Sequence, residues 1–323
     1  MTPELCIITG PTATGKTRLA IALAQKLNGE IISADSMQIY RGMDIGTAKP
    51  SLTEMDGVPH HMLDVADPWE DYSVACYVEE ATAVIIDVLS RGKRPFVVGG
   101  TGLYIDSLVS GRHFAAGDPR VREELSARYD AEGGRALIKE LEAFDPESAA
   151  RLHPSDKKRV IRAIEVHRVS GLTMTEHNRR TQTAPPRYRA KKLALNYENR
   201  ADLYAAIDAR VDGMLESGLL AEVSGLLARG ISPKATAMQA IGYKELVGHL
   251  EDEASLEESV AHIKQESRRY AKRQLSWLRR DEDLRWLLWE KSPSFANALP
   301  ISTEFFRSFD IIGSEPARDE KGS

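Results

Sequence analysis

The chain has 323 residues, 42% of them hydrophobic and 28% charged, with a formal net charge of −5. This composition supports a sizeable buried core and excludes a disordered or fibrous protein, and the mild acidity argues against nucleic-acid binding over the whole surface. Two cysteines, Cys6 and Cys76, are too few for a disulfide framework or a four-cysteine zinc site.

Leu5-Cys6-Ile7-Ile8-Thr9 is a short apolar run that reads as a buried parallel strand. It leads into Gly10-Pro11-Thr12-Ala13-Thr14-Gly15-Lys16-Thr17, the G-x-x-x-x-G-K-T spacing of a phosphate-binding loop. Leu19, Ala20, Leu23, Ala24 and Leu27 then recur at helical spacing. Strand, glycine loop and helix bring several backbone N–H groups and a helix N-terminus onto one anion. Lys16 adds a full charge, and the Thr17 hydroxyl offers a ligand to Mg²⁺. The loop specifies a polyphosphate without saying which one. No basic-then-apolar leader precedes it, and no apolar run nears the ~18 residues of a membrane span, so a cytoplasmic protein without membrane contact is expected.

Glu30 to Ala34 reads as a second strand, ending in Asp35-Ser36-Met37-Gln38. Ligands of open parallel sheets sit beyond the carboxyl ends of the strands, which sets Asp35 beside the phosphate loop. A short strand is expected between Pro59 and Val65. Its His60 and His61 point to opposite faces and have no third ligand nearby, so packing is preferred to metal binding. A helix follows from Tyr72 to Leu89. Arg94 to Val98 is another strand, running into Gly99-Gly100-Thr101-Gly102, a second close backbone approach with a hydroxyl at Thr101. A hydrolytic phosphate-loop enzyme usually ends this strand in a magnesium-positioning Asp; Gly99 stands there instead, which counts against a motor or switch ATPase.

Beyond this point the pattern is helical until Lys192 to Asn196 returns to the sheet. The expectation is an α/β fold: a P-loop NTPase-like parallel sheet flanked by helices, with an all-helical insertion domain and a helical C-terminal part. The segments are 1–112 for the first part of the core, 113–185 for the insertion, 186–291 for the return to the sheet and the C-terminal helices, and 292–323 for a disordered tail. Charge is segregated along these segments. Arg151 to Lys192 holds twelve Lys/Arg against three Asp/Glu, and Lys264 to Arg280 holds seven against one. Phosphate backbones respond to such local patches rather than to net charge. In the second patch Tyr270 and Trp277 interleave with the cations, an arrangement that suits either base stacking or an inward-packed helix face.

In the order of its motifs the sequence resembles the bacterial tRNA dimethylallyltransferases over roughly residues 4 to 290. The motifs are Gly10 to Thr17; Ser33 to Tyr40 with Gly46-Thr47-Ala48-Lys49-Pro50; Pro59 to Asp64; Val98 to Tyr104; His153-Pro154 with Arg159 to Ala163; and Ile241-Gly242-Tyr243 with Tyr270 to Gln274. The resemblance implies transfer of a dimethylallyl group from dimethylallyl diphosphate to the exocyclic amine of an adenosine beside the anticodon. The loop, Gly10 to Thr17, would bind the diphosphate with Mg²⁺ as cofactor and Thr17 as its protein ligand. Thr101 and Arg210 would also grip the diphosphate, and Asp35 is the candidate general base. Asp35, Ser36, Met37, Gln38 and Thr101 would cradle the flipped base, with Glu123 a further RNA contact. Arg159, Val160, Ile161, Arg162 and Ala163 would meet the anticodon stem-loop, as would Met238, Gln239, Ala240, Ile241, Gly242 and Tyr243. So would Lys272, Arg273, Gln274, Leu275, Ser276, Trp277, Leu278 and Arg279. A monomer is expected. The alternatives are a small-molecule or nucleotide kinase, an adenylate isopentenyltransferase acting on free AMP, and a non-enzymatic RNA-binding protein.

Overall fold

The computed structural model describes residues 3–111, 114–115, 117–183 and 185–308. Contacts divide the chain into two units, Met1–Val109 with Arg187–Ser323, and Ser110–Pro186. The expected boundary at residue 113 lies outside the described residues.

The first unit opens with β1 (Glu4–Thr9), α1 (Lys16–Lys26), β2 (Gly29–Ser33), α2 (Leu52–Met55) and β3 (His60–His61). It continues with α3 (Val74–Ser90), β4 (Arg94–Val98) and α4 (Gly102–Ser110). The second unit is helical: α5 (Pro119–Glu132), α6 (Gly134–Glu142), α7 (Pro146–Arg151), α8 (Lys157–Ser170) and α9 (Met174–Thr183). The chain then returns to the first unit with β5 (Arg189–Tyr197), α10 (Arg200–Glu216), α11 (Leu219–Ala228), α12 (Tyr243–Leu250) and α13 (Leu256–Leu278). It ends with β6 (Leu284–Trp289) and α14 (Phe295–Arg307). Among the described residues no helix is long and apolar enough to cross a membrane.

The described strands form one α/β sheet in the order β3-β2-β4-β1-β5-β6, with every pairing parallel. Parallel strands are covered on both faces, and the apolar runs of β1, β2 and β4 are buried accordingly. Because β4 and β5 flank β1, and β2 flanks β4, the ends of these strands lie side by side at the carboxyl edge. The phosphate loop, Asp35 and Gly99–Thr101 all leave the sheet there. A second apolar cluster gathers Ile39, Tyr40, Met43, Val223, Met238, Tyr243 and Leu246 around α11 and α12.

Two expectations for the C-terminal part are corrected. Leu284-Arg285-Trp286-Leu287-Leu288-Trp289 forms an edge strand where only helices were expected. Residues 295–307, expected in the disordered tail, form α14 against α1, burying Ala298 and Phe306. Its inward face also carries Ser302 and Thr303, and Pro300 interrupts it, so no apolar stripe is visible in the sequence. The remainder of that segment, 309–323, lies outside the described residues.

The helical unit has its own core of Leu125, Leu137, Leu141, Val160, Ile161, Ala163 and Ile164. Two of its buried carboxylates are satisfied locally. Glu165 accepts from Arg122 at 3.0 Å and from Arg162 at 2.7 Å, while Asp145 caps α7 and accepts from Thr175 Oγ1 at 2.6 Å.

Candidate active site

At the end of β1 the chain turns sharply at Gly10, whose φ is 137°; a Cβ there would lie 2.3 Å from the Leu195 carbonyl oxygen. The loop then closes on itself. Thr14 Oγ1 donates to the Pro11 carbonyl at 2.9 Å, and Lys16 Nζ donates to the same oxygen at 2.7 Å. Three side chains hold the loop from outside. Tyr197 donates to the Ala13 carbonyl at 3.2 Å, Trp289 Nε1 donates to the Thr14 carbonyl at 3.1 Å, and Gln274 Oε1 accepts from Thr12 N–H at 3.1 Å. Gly15 caps α1 in the left-handed conformation without any side-chain cap, so the first amides of the helix are left to an anion.

Across from the loop, Asp35 Oδ1 accepts the N–H groups of Met37 at 2.9 Å and Gln38 at 3.4 Å. That turn fixes the carboxylate and leaves Oδ2 without a hydrogen bond among the described residues. Ser36 N–H donates to Thr101 Oγ1 at 3.2 Å, which ties the end of β2 to the end of β4. Gln38 spends its carboxamide inside the protein, accepting from Ser33 and donating to the carbonyls of Thr47 and Ala48.

Lys16, Asp35 and Arg210 line one cavity of about 370 Å³, with Thr12, Thr17, Ser36, Met37, Gln38, Gly99 and Gly100 in its walls. Burial, then the Arg210 cation, pull the Lys16 ammonium from 10.5 down to about 7 against the opposing attraction of Asp35. Burial lowers Arg210 as well, again opposed by Asp35. Lys244 and Arg273 add further positive charge to the walls, and Glu266 adds one negative charge. Buried cations in excess of carboxylates are costly unless an anion joins them, so this is a site built for one. Ile207, Val211, Met214 and Ile263 give the same cavity an apolar side. A second space of about 1060 Å³ shares Lys16, Thr17, Ala48, Met214 and Arg210 with the first.

The structure sorts the residues expected to meet RNA. On α13, Lys272, Arg273 and Ser276 are exposed and form a basic groove with Arg269, Trp277 and Arg280; Arg279 is exposed beside them. Gln274 and Leu278 are buried and Leu275 is half-buried, so these three are corrected to inward positions. Trp277 donates its indole N–H to Asp106 Oδ2 at 3.0 Å. In the stretch from Met238 to Tyr243, Gln239, Ala240, Ile241 and Gly242 line the cavity. Met238 and Tyr243 are fully buried and offer RNA no surface. In the helical unit Arg159 is 76% exposed at its side chain and Arg162 33%, and Glu123 is exposed on α5. Val160, Ile161 and Ala163 belong to that unit's core, because a helix presents only one face outward.

Two contributors, Glu222 and Trp289, escaped the sequence reading. Tyr270, read there as either base-stacking or inward-packed, lines the cavity from α13, half-buried. Glu222 accepts the N–H groups of Asp44 and Ile45 at 2.8 Å each, of Gly46 at 3.2 Å, and the Tyr243 hydroxyl at 2.5 Å, pinning the loop beside the cavity. Trp289 supports the phosphate loop from a strand that was not expected. Glu30, by contrast, is held away from the site in a structural cluster: it accepts from Lys93 at 2.7 Å, pairs with Arg91 and meets His61 Nε2 at 2.7 Å.

Comparison with known proteins supplies an independent line. The family model described as IPP transferase matches residues 38–281, and one described as isopentenyl transferase matches residues 3–69. A tRNA dimethylallyltransferase of Desulforudis audaxviator is 48% identical over 286 residues, covering 88% of this chain and 92% of the relative. That of Pelotomaculum thermopropionicum is 46% identical over 305 residues, covering 94% and 95%. Among solved structures, the full-length tRNA isopentenylpyrophosphate transferase of Bacillus halodurans is 41% identical, with a TM-score of 0.71 over 94% of this chain and 96% of its own. A eukaryotic dimethylallyltransferase acting on tRNA is 30% identical, with a TM-score of 0.81 over 97% of this chain and 81% of its own.

Proposed function

The chain belongs to the tRNA dimethylallyltransferase family, enzymes that prenylate tRNA, and from that membership we propose how its cavity divides the work. The relatives do not favour free AMP as acceptor, and with them the kinase and the non-enzymatic readings fall away.

The group moves from dimethylallyl diphosphate to the exocyclic amine of the adenosine on the 3′ side of the anticodon. The bond between the allylic carbon and the diphosphate oxygen breaks, and its electron pair stays on the departing diphosphate. The amine nitrogen bonds to that carbon, and its proton passes to Asp35. Charge thus grows on the diphosphate, where Lys16, Arg210 and the amides of the loop and of α1 stabilise it. Asp35 suits the base because two backbone N–H groups orient it and Oδ2 is left for the incoming amine. The apolar side formed by Ile207, Val211, Met214 and Ile263 shields the cation-like carbon from water.

Mg²⁺ fits the donor set. Thr17 offers a hard hydroxyl oxygen in the cavity, beside Lys16 at the start of α1. Thr17 would hold the ion, with diphosphate oxygens and water completing its shell, and when bound it would neutralise charge on the leaving group.

An adenosine stacked in a loop reaches this depth only when flipped out, with Met37, Ser36 and Thr101 near its edge. The exposed cations of α13, and Arg159 and Arg162 of the helical unit, bind the backbone of the anticodon stem-loop. The enzyme works in the cytoplasm, where tRNA is, and as a monomer.

The observation that carries this reading is the convergence of Lys16, Arg210 and Asp35 on a single cavity. Incubation with dimethylallyl diphosphate, Mg²⁺ and either bulk tRNA or AMP, followed by mass analysis of the nucleosides, tests it. Prenylated adenosine should arise from tRNA alone; product from AMP alone would overturn the acceptor assignment.

A further inference from the structure

We propose that Gln274 is a positioning residue for the diphosphate-binding loop, holding it at a fixed separation from the Gly99–Thr101 turn, and that it is not an RNA contact. The proposal rests on the reading of the loop as the diphosphate site. Gln274 sits on α13 among exposed neighbours, Lys272, Arg273 and Ser276, yet is itself only 7% exposed. Its carboxamide spans two strand ends. Oε1 accepts from Thr12 N–H at 3.1 Å, and Nε2 donates to the Gly100 carbonyl at 2.9 Å.

The two partners fix which end of the amide is which, because an N–H needs an acceptor and a carbonyl needs a donor. No other side chain of this length meets both demands without bringing a charge. Glutamate would face the Gly100 carbonyl with a lone pair and set a negative charge in a cavity built for an anion. Methionine would fill the volume and satisfy neither group. Glycine at position 100 belongs to the same device: a Cβ there would stand 2.2 Å from Gln274 Nε2. One helical turn earlier, Tyr270 lines the same cavity. Gln274 also lines the cavity between Thr12, Lys16 and Gly100, where a change in its length would be felt by the diphosphate rather than by bulk RNA. Through this bridge the helix whose outer face is basic also sets the shape of the donor cradle.

Titration calorimetry with inorganic diphosphate and Mg²⁺, without RNA, tests the proposal on the wild-type protein, Gln274→Met and Gln274→Glu. Steady-state kinetics and a tRNA filter-binding assay accompany it. Gln274→Met should weaken diphosphate about tenfold, the effect of one or two lost hydrogen bonds, and Gln274→Glu should weaken it further through repulsion. KM for dimethylallyl diphosphate should rise in step, while tRNA affinity stays within about twofold of wild type. Unchanged diphosphate affinity in both variants would overturn the proposal, as would a fall in tRNA affinity with diphosphate binding intact. If the wild-type protein itself failed to bind diphosphate, the loop reading would fall, and this proposal with it.

Discussion

Trp289, the last residue of β6, donates its indole N–H to the carbonyl of Thr14 inside the phosphate loop at 3.1 Å, and both residues are buried. Trp289→Phe keeps a ring in place but strands that carbonyl, at a cost of about 1–3 kcal/mol borne by the loop. KM for the allylic diphosphate should therefore rise roughly 3- to 10-fold with tRNA affinity unchanged, as steady-state kinetics against each substrate will read. Trp289→Ala also opens a cavity costing about 3–5 kcal/mol, visible as a lower melting temperature.

Lys16 is held at a cost that binding recovers. Its folded pKa lies near 7 against the ordinary lysine value of 10.5, so below pH 10.5 the group costs the ligand-free fold stability, and the cost grows until pH falls to about 7, where the buried amine takes up its proton. Lys16→Met should leave the melting temperature of the free protein unchanged or raised, while diphosphate affinity falls by roughly 10- to 100-fold. Thermal unfolding and calorimetry on the same sample check both halves. A variant that melts lower and binds diphosphate normally would contradict the electrostatic account.

Arg159 projects from α8 with its side chain 76% exposed, and its neighbour Val160 is fully buried. Arg159→Ala should weaken tRNA binding and reduce the slope of log affinity against log salt by about 0.7–0.9, one phosphate contact's worth. Val160→Ala should instead lower the stability of the helical unit by about 1–3 kcal/mol with no change in that slope. Binding measured over a salt series separates the two.

Glu30 predicts an acid limb. Hydrogen bonds from Arg91, then Lys93 and His61, hold its carboxyl well below its ordinary value of 4.5 despite burial. A depressed carboxyl stabilises the fold above its unfolded pKa and loses that contribution as pH falls toward the folded value. The melting temperature of the wild-type protein should thus drop more steeply between about pH 5 and pH 3 than that of Glu30→Gln, which should already be less stable at neutral pH.

What the sequence made visible was local. The phosphate loop is eight adjacent residues with a strand before and a helix after, and the ends of β2 and β4 follow from their apolar runs, so the α/β core and the neighbourhood of Asp35 were readable. The supports of the site are non-local. Gln274 lies 262 residues from Thr12, Trp289 lies 275 from Thr14, and Glu222 lies 178 from Asp44, so no short window contains both members of any of these pairs. Motif runs also blur inside and outside: Arg159 to Ala163 and Met238 to Tyr243 read as continuous contact surfaces, yet helical geometry and packing turn several residues of each inward. In α14 the inward Ser302 and Thr303 and the internal Pro300 hid a helix from any test of apolar periodicity.

The most direct test of the mechanism is single-turnover prenyl transfer by Asp35→Asn, which keeps the shape and the acceptor oxygen but cannot take the amine's proton. The predicted result is a rate about 10²–10⁴-fold below wild type with diphosphate and tRNA still bound. A rate equal to wild type under saturating substrates would contradict the account.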